Sequence, residues 1–168
     1  VNGTLGDHEA AVINARENFF EQSKLQSDCA SLNGLINILL DNCRSVRFMR
    51  DITRGGLAGI LHEMVSLTGR GVEIREDDLP VSEAVTAFCE TLGYEPLHFA
   101  NEGKFVAVVS AGDVADALAL MKKHELGIDA ARIGTVTGNH PYEVVMETTV
   151  GGRRLIEPPR AAKVPRIC

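Results

Sequence analysis

Residues 49–64, MRDITRGGLAGILHEM, pass from a strand pattern to a helix pattern across two adjacent glycines. Apolar spacing predicts a strand at 46–50 and a helix from about residue 56 to 67. Between them lies the loop DITRGG, residues 51–56, where glycines permit a tight turn and the close approach of a ligand. A strand, a glycine loop and a helix in this order indicate a layered α/β architecture.

Helices and strands alternate on both sides of this unit. The patterns predict further helices at about 8–20, 29–42, 81–92 and 113–124, and further strands at 71–75, 97–99, 104–111 and 131–137. Strand-like runs flank Gly151 and Gly152, which predicts a hairpin with a tight turn. We therefore expect a layered α/β domain with a mixed sheet at residues 1–157. An extended tail with three prolines is expected at 158–168.

The composition excludes several classes of protein. The chain has 168 residues, 45% hydrophobic and 24% charged, which are ordinary values for one globular domain. A net charge of −6 argues against a dedicated nucleic-acid binder. No apolar stretch has the ~18–20 residues of a membrane span, and no signal-peptide pattern is present, so we expect a cytoplasmic protein.

The basic end of the chain contrasts with its acidic body. The last 18 residues carry five Lys and Arg side chains against one Glu, which suggests that the tail meets something anionic. A solvated tail that only aids solubility is the alternative. The spacing of the four cysteines does not match a zinc site, and no metal site is predicted within the chain. Cys29, Cys43 and Cys89 fall in predicted helices as small core residues, whereas Cys168 is the last residue.

Three places carry candidate chemistry. The start of the helix after the glycine loop favours an anion, and Arg54 is suited to a phosphate or a carboxylate. Asp51 is suited to binding a metal or orienting Arg54, and a structural turn with these two side chains paired is the alternative. Glu102, beside a glycine between two strand-like runs (FANEGKF, 99–105), is a candidate general base or an exposed turn residue. Cys168, on its proline-spaced arm, is a candidate accessible nucleophile or an incidental terminal residue.

The motifs taken together resemble a known family. LGDHEAAV, DCASLNGLI, FMRDITRGGLAGILHE, ANEGKF and the ending PRIC resemble the C-terminal half of the HypE family of hydrogenase maturation factors, over nearly all of the chain. The loop RDITRGG alone is similar to the wider superfamily of aminoimidazole ribonucleotide synthetase and selenophosphate synthetase. The resemblance implies a three-layer α/β/α fold with a mixed sheet, that of the C-terminal domain of this superfamily, which agrees with the alternation of helices and strands.

The resemblance also implies a reaction. In the HypE family a terminal cysteine receives a carbamoyl group from the carbamoyltransferase HypF, and ATP-dependent dehydration converts this group to a thiocyanate. The cyanide then passes to iron on the HypC–HypD scaffold during assembly of the [NiFe]-hydrogenase centre. Carried over, Cys168 is the carrier thiol and Glu102 the base that removes a proton from the carbamoyl nitrogen. The residues that match the loop lining the cleft are Asp51, Thr53, Arg54, Gly55 and Gly56.

The resemblance further implies that ATP and Mg²⁺ are bound mostly by an N-terminal half outside these residues, which also forms a homodimer. We therefore expect the chain alone to bind ATP poorly and to lack dehydratase activity. Two other functions stay open at this point. One is an ATP-dependent phosphotransferase of the wider superfamily, which needs no terminal cysteine, and the other is a non-enzymatic docking domain whose tail binds an acidic protein.

Overall fold

A computed structural model of the protein describes residues 1–159. In this part of the chain the helices are α1 (Asp7–Glu17), α2 (Asn33–Asn42), α3 (Gly56–Thr68), α4 (Glu83–Leu92) and α5 (Val114–Met121). The strands are β1 (Phe48–Asp51), β2 (Gly71–Arg75), β3 (Phe105–Val108), β4 (Gly134–Thr137), β5 (Val144–Glu147) and β6 (Arg153–Leu155). Of the helices in residues 1–159, none has the length and apolarity that crossing a membrane requires.

The strands form two sheets. β1 and β3 pair antiparallel as a two-stranded ribbon, and the other sheet has the order β4-β2-β5-β6. Its central strands β2 and β5 are parallel, while both edge strands are antiparallel to their neighbours, so the predicted mixed sheet is confirmed. The predicted hairpin is β5–β6, but its loop runs from Thr148 to Gly152 and is longer than the tight turn expected.

Helix α3 lies at the centre of the larger hydrophobic core. Its side chains share one cluster with residues of both sheets, namely Leu57, Ile60, Leu61, Met64 and Val65 of α3 with Val72, Ile74, Val106, Val144 and Met146 of the strands. Neighbouring residues of a strand point to opposite faces. Phe105 accordingly packs on the other side of the ribbon, in a second cluster with residues of α2 and α5. The ribbon therefore lies between helical layers, as an α/β/α architecture requires.

Two segments differ from the sequence prediction. Residues 97–99, predicted as a strand, form the end of a short 3₁₀ turn, Pro96–His98, in which Phe99 N–H donates to the Pro96 carbonyl at 3.1 Å. Helix α2 begins at Asn33 rather than near residue 29, so Cys29 is exposed and lies before the helix. Asp28, next to Cys29, contacts the loop at 101–104 instead, where its Oδ1 accepts the Glu102 N–H at 2.9 Å.

Helix α4 ends at Leu92 as predicted and begins at Glu83, two residues after the predicted start. The Ser82 hydroxyl caps it by accepting the Val85 N–H at 3.3 Å, and Gly93 ends it with a φ of 69°. Cys89 is buried within this helix. Burial, and next the Glu95 carboxylate, raise the pKa of the Cys89 thiol to about 12. The predicted core role of Cys89 is therefore confirmed.

We expect the described thiols to react at very different rates in the folded protein. A Cys168→Ser variant leaves only Cys29, Cys43 and Cys89, of which the last two are buried. The thiolate is the reactive form, and a pKa of about 12 leaves only about one Cys89 in ten thousand ionised at pH 8. Iodoacetamide at pH 8, followed by peptide mass analysis, should modify Cys29 alone. Comparable labelling of Cys89 before denaturation would contradict the burial described here.

Candidate active site

The glycine loop (residues 51–56) and the NEGK turn (residues 101–104) lie against one another. The Ile52 N–H donates to the Lys104 carbonyl at 2.8 Å, and the Asn101 N–H donates to the Ile52 carbonyl at 2.9 Å. These bonds continue the antiparallel pairing of β1 with β3, whose last registered pair is Asp51 with Phe105. Two motifs far apart in the sequence are therefore brought to one place by the ribbon.

The start of α3 packs directly on the 3₁₀ turn that precedes the NEGK turn. Gly55 and Gly56 have φ angles of 81° and 62°, in the left-handed region that favours glycine. A Cβ atom on Gly56 would lie 2.4 Å from the Leu97 carbonyl oxygen and 2.7 Å from that of Phe99. Position 56 thus requires glycine for its backbone conformation and for its contacts, which explains one half of the glycine pair in the motif.

The buried side chain of Asn101 joins the start of α1 to the same place. It is 1% exposed, its Oδ1 accepts the Gly6 N–H at 2.8 Å, and its Nδ2 donates to the Phe99 carbonyl at 3.0 Å. Beside it, the Glu9 carboxylate accepts the Ala100 N–H at 2.6 Å. No role for Asn101 was evident from the sequence. The sequence feature that points to it is its place as the polar first residue of the NEGK motif, which directly precedes strand β3.

Asp28, which directly precedes the helix predicted at 29–42, is a further residue whose contact with the NEGK turn the sequence did not indicate. One carboxylate oxygen, Oδ1, accepts the Glu102 N–H at 2.9 Å. The other, Oδ2, lies 3.0 Å from Lys104 Nζ, and the two side chains are 4% and 13% exposed. An ion pair of two nearly buried groups therefore lies beneath the NEGK turn.

The side chains singled out for chemistry are more accessible. Asp51 is exposed and lies 3.8 Å from Arg50, which also pairs with Glu63 at 3.2 Å, so the Asp51–Arg54 pair considered above is not formed. Within residues 1–159, neither the exposed Arg54 guanidinium nor the half-buried Glu102 carboxylate has an ion-pair partner. An unpaired cation and an unpaired carboxylate on two adjoining loops can bind an anion and accept a proton.

The last described residues reach the glycine loop. His62 of α3 donates from Nε2 to the Ile156 carbonyl at 2.8 Å. Further on, Pro159 Cγ lies 3.0 Å from the position that a Cβ on Gly55 would occupy and 3.4 Å from the equivalent position on Gly59. The start of the predicted tail therefore follows α3 back to its first turn. Cys168 lies outside the described residues.

Residues 1–159 do not form a complete metal site on their own. Among residues 1–159, no three His, Cys, Asp or Glu side chains lie close enough to hold one ion. Asp51 is an exposed oxygen donor on the glycine loop, but without two further ligands beside it. The anion-binding and proton-accepting features are thus the ones that this part of the protein offers.

A family model and individual relatives both match this chain. The model of the family "AIR synthase related protein, C-terminal domain" matches residues 1–147. The chain is 43% identical over 168 residues to the carbamoyl dehydratase HypE of Escherichia coli (strain K12), and covers 100% of itself and 49% of that relative. It is 41% identical over 169 residues to the HypE of Bradyrhizobium diazoefficiens, with the same coverage. The chain spans about half the length of the curated relatives it matches.

Solved structures of HypE resemble this chain in fold as well as in sequence. A crystal structure of HypE in complex with ATP is 35% identical with a TM-score of 0.92, over 99% of this chain and 51% of that one. A HypE chain from a HypE–HypF complex is 42% identical with a TM-score of 0.89, over 94% of this chain and 51% of that one. The resemblance inferred from the motifs is therefore confirmed in sequence and in fold.

Replacing Gly56 by alanine should destabilise the protein far more than the same change at Gly93. Both glycines have positive φ angles, but nothing lies within 4 Å of a Cβ at Gly93, whereas at Gly56 it meets carbonyl oxygens. We expect a loss of about 1 kcal/mol for Gly93→Ala from the backbone alone. For Gly56→Ala we expect about 3 kcal/mol or more, because overpacking is added. Urea unfolding of both variants measures this, and equal losses would contradict the close contact.

Proposed function

The chain belongs to the family of AIR synthase-related C-terminal domains, and from this premise we propose that it is the C-terminal half of a carbamoyl dehydratase of the HypE type. The proposed role is [NiFe]-hydrogenase maturation, in which a carbamoyl group on Cys168 is dehydrated to a thiocyanate. One observation carries the proposal: the glycine loop, the NEGK turn and the start of the tail meet at one place. The sequence identity of 41% and 43% to two HypE proteins, over the whole of this chain, supports the proposal.

The proposed reaction converts an S-carbamoyl group, S–C(=O)–NH₂, into S–C≡N. ATP supplies the phosphoryl group that turns the carbamoyl oxygen into a leaving group. Both nitrogen-bound protons are removed, the C–O bond breaks and the oxygen departs with phosphate, so ADP and phosphate are the other products. The sulfur of Cys168 keeps its bond to carbon throughout and does not change oxidation state.

Glu102 is the proposed base for the carbamoyl nitrogen. Its carboxylate is half-buried and has no ion-pair partner among the described residues, so it is available to accept a proton. A positioned carboxylate of this kind typically contributes 10²–10⁴-fold to a proton transfer. Its neighbours in the NEGK turn are tied to the glycine loop, which brings the proposed base close to the proposed anion site.

The glycine loop is the proposed phosphate-binding element. Arg54 is exposed and unpaired within residues 1–159, and a guanidinium matches the geometry of phosphate oxygens. The loop continues into the first turn of α3, whose positive end adds to the attraction. Gly55 and Gly56 give the turn its shape, and the Thr53 carbonyl accepts the Gly56 N–H at 3.0 Å. These residues fit part of an ATP phosphate site.

The described residues supply only part of the proposed nucleotide site. No group of three metal ligands is placed among residues 1–159, so Asp51 is at most one of the ligands of a Mg²⁺ ion. The remaining ligands, and most contacts to ATP, are proposed to come from the other half of a protein twice this length. We further propose the division of this chain into a domain at 1–157 and a carrier tail at 158–168.

Connectivity limits how far the carrier thiol can travel. Cys168 is the ninth residue after Pro159, so the thiol can reach at most about 30 Å from the glycine loop. That distance is enough to serve the proposed site and a protein partner beside it. The proposed carbamoyl donor is HypF, because a HypE–HypF complex is among the similar structures. A HypC–HypD complex as cyanide acceptor, a homodimer and a cytoplasmic location complete the proposal.

Replacing Cys168 by serine should abolish the product without unfolding the protein. In the full-length protein loaded by HypF in the presence of ATP, mass analysis of the C-terminal peptide should detect carbamoyl and cyano forms only when Cys168 is present. Cys29→Ser is the matched control, because among residues 1–159 Cys29 is the cysteine exposed to solvent. If the Cys168→Ser variant still transferred the phosphoryl group of ATP to a small-molecule acceptor, the result would instead favour a phosphotransferase of the wider superfamily.

Replacing Glu102 by glutamine should separate loading from dehydration. The variant should still accept the carbamoyl group on Cys168, but the thiocyanate should form at least 10²-fold more slowly because the base is lost. Glu90, exposed on α4, provides the control as Glu90→Gln. Quenched-flow sampling with peptide mass analysis gives both rates. A dehydration rate in Glu102→Gln equal to that of the control would remove Glu102 from the reaction.

A further inference from the structure

The carboxylate of Asp28 lies beneath the NEGK turn and contacts it at successive residues. Oδ1 accepts the N–H of Glu102, and Oδ2 lies beside the ammonium of Lys104. Between them, a Cβ on Gly103 would lie 1.9 Å from the backbone carbonyl oxygen of Asp28. The main chain at Glu102 and Gly103 therefore lies in close contact with Asp28, which is distant in the sequence.

Both side chains of the Asp28–Lys104 ion pair are largely shielded from solvent. Asp28 is 4% and Lys104 13% exposed, and the end of the Lys104 side chain lies 2.9 Å from the position of a Cβ on Gly3. Burying a carboxylate is costly unless its charge is balanced and its oxygens accept hydrogen bonds. Lys104 supplies the charge, yet no residue in 1–159 donates a well-directed hydrogen bond to Oδ2. The hydrogen bond that Asp28 does accept comes from Glu102.

The segment that carries Asp28 is itself anchored to α1. Ser27 Oγ is hydrogen-bonded to His8 Nδ1 at 2.8 Å and accepts the Cys29 N–H at 3.2 Å. These contacts hold the residues on both sides of Asp28, although they lie in neither a helix nor a strand. The position of the Asp28 carboxylate is therefore set by the body of the domain.

We propose that Asp28 is a positioning residue for Glu102, holding the backbone from which the base is aimed at the carbamoyl nitrogen. The Glu102 carboxylate has no ion-pair partner among residues 1–159, so the direction of the side chain depends on its main chain. Asp28 acts on that main chain through the N–H of Glu102 itself. This inference rests on the proposed role of Glu102 as the base.

Two double variants separate this role from charge balance. Asp28→Asn with Lys104→Met removes both buried charges but keeps an oxygen that can accept the Glu102 N–H. Asp28→Ala with Lys104→Met removes the same charges and also that acceptor. Methionine resembles the apolar stem of lysine in volume, so Gly3 keeps its contact in both proteins. The pair differs only in the group facing the Glu102 N–H.

Single-turnover dehydration in the full-length, carbamoyl-loaded protein is the functional measurement. We expect the Ala/Met variant to dehydrate at least tenfold more slowly than the Asn/Met variant. The KM for ATP and the rate of carbamoyl loading should be the same in both, because neither depends on the aim of Glu102. Equal dehydration rates in the two variants would overturn the proposal.

Amide hydrogen exchange at residue resolution gives a second measurement that does not require activity. The Glu102 amide should exchange at least tenfold faster in the Ala/Met variant than in the Asn/Met variant. The Asn101 amide, which bonds to Ile52, should stay protected in both and so reports that the turn remains folded. Unchanged Glu102 exchange would overturn the proposal. A wild-type protein that forms no thiocyanate would overturn the proposed function instead, whatever the exchange rates show.

Discussion

The antiparallel pairing of β1 with β3 is the interaction on which the candidate site depends. Because this pairing continues past the strands, through Ile52 to Asn101 and Lys104, the glycine loop and the NEGK turn are held by main-chain bonds. Main-chain bonds of this kind do not vary with side-chain rotamers. The exposed side chains are consequently carried on loops whose backbones are set, while the side chains themselves stay available to a substrate.

The remaining elements serve this pairing. Helix α3 fills the space between the ribbon and the larger sheet, and its first turn lies against the carbonyl groups that precede the NEGK turn. Asn101 joins the start of α1 to the same turn, and Asp28 contacts that turn by accepting the Glu102 N–H. Four separate segments of the chain thus converge on a few residues. Such convergence is the usual means by which a rigid scaffold presents reactive loops.

Much of the fold follows from local patterns, and part of the site does not. Local patterns predicted helix α3, strand β2, the end of α4 at residue 92 and the β5–β6 hairpin, because hydrophobic period and turn chemistry act over a few residues. The turn at 96–98 was mistaken for a strand, since its conformation depends on contacts with Gly56. Asn101 and Asp28 were missed for the same reason, because a buried polar residue has meaning only through distant partners. The motifs indicated the candidate site residues, whereas tertiary contacts show which residues hold the loops that carry them.

The contact of His62 and Gly59 with the residues at 156–159 has a consequence for kinetics. Because the tether of the proposed carrier thiol starts at the glycine loop, its encounter with the site is intramolecular, and a short tether of this kind gives an effective concentration in the millimolar range. A thiol supplied at that concentration saturates a weak site, so tight binding of the carbamoyl group is unnecessary. On the proposed function, weak binding lets the thiocyanate-bearing end leave the site after dehydration, so the same tether that favours arrival does not retain the product.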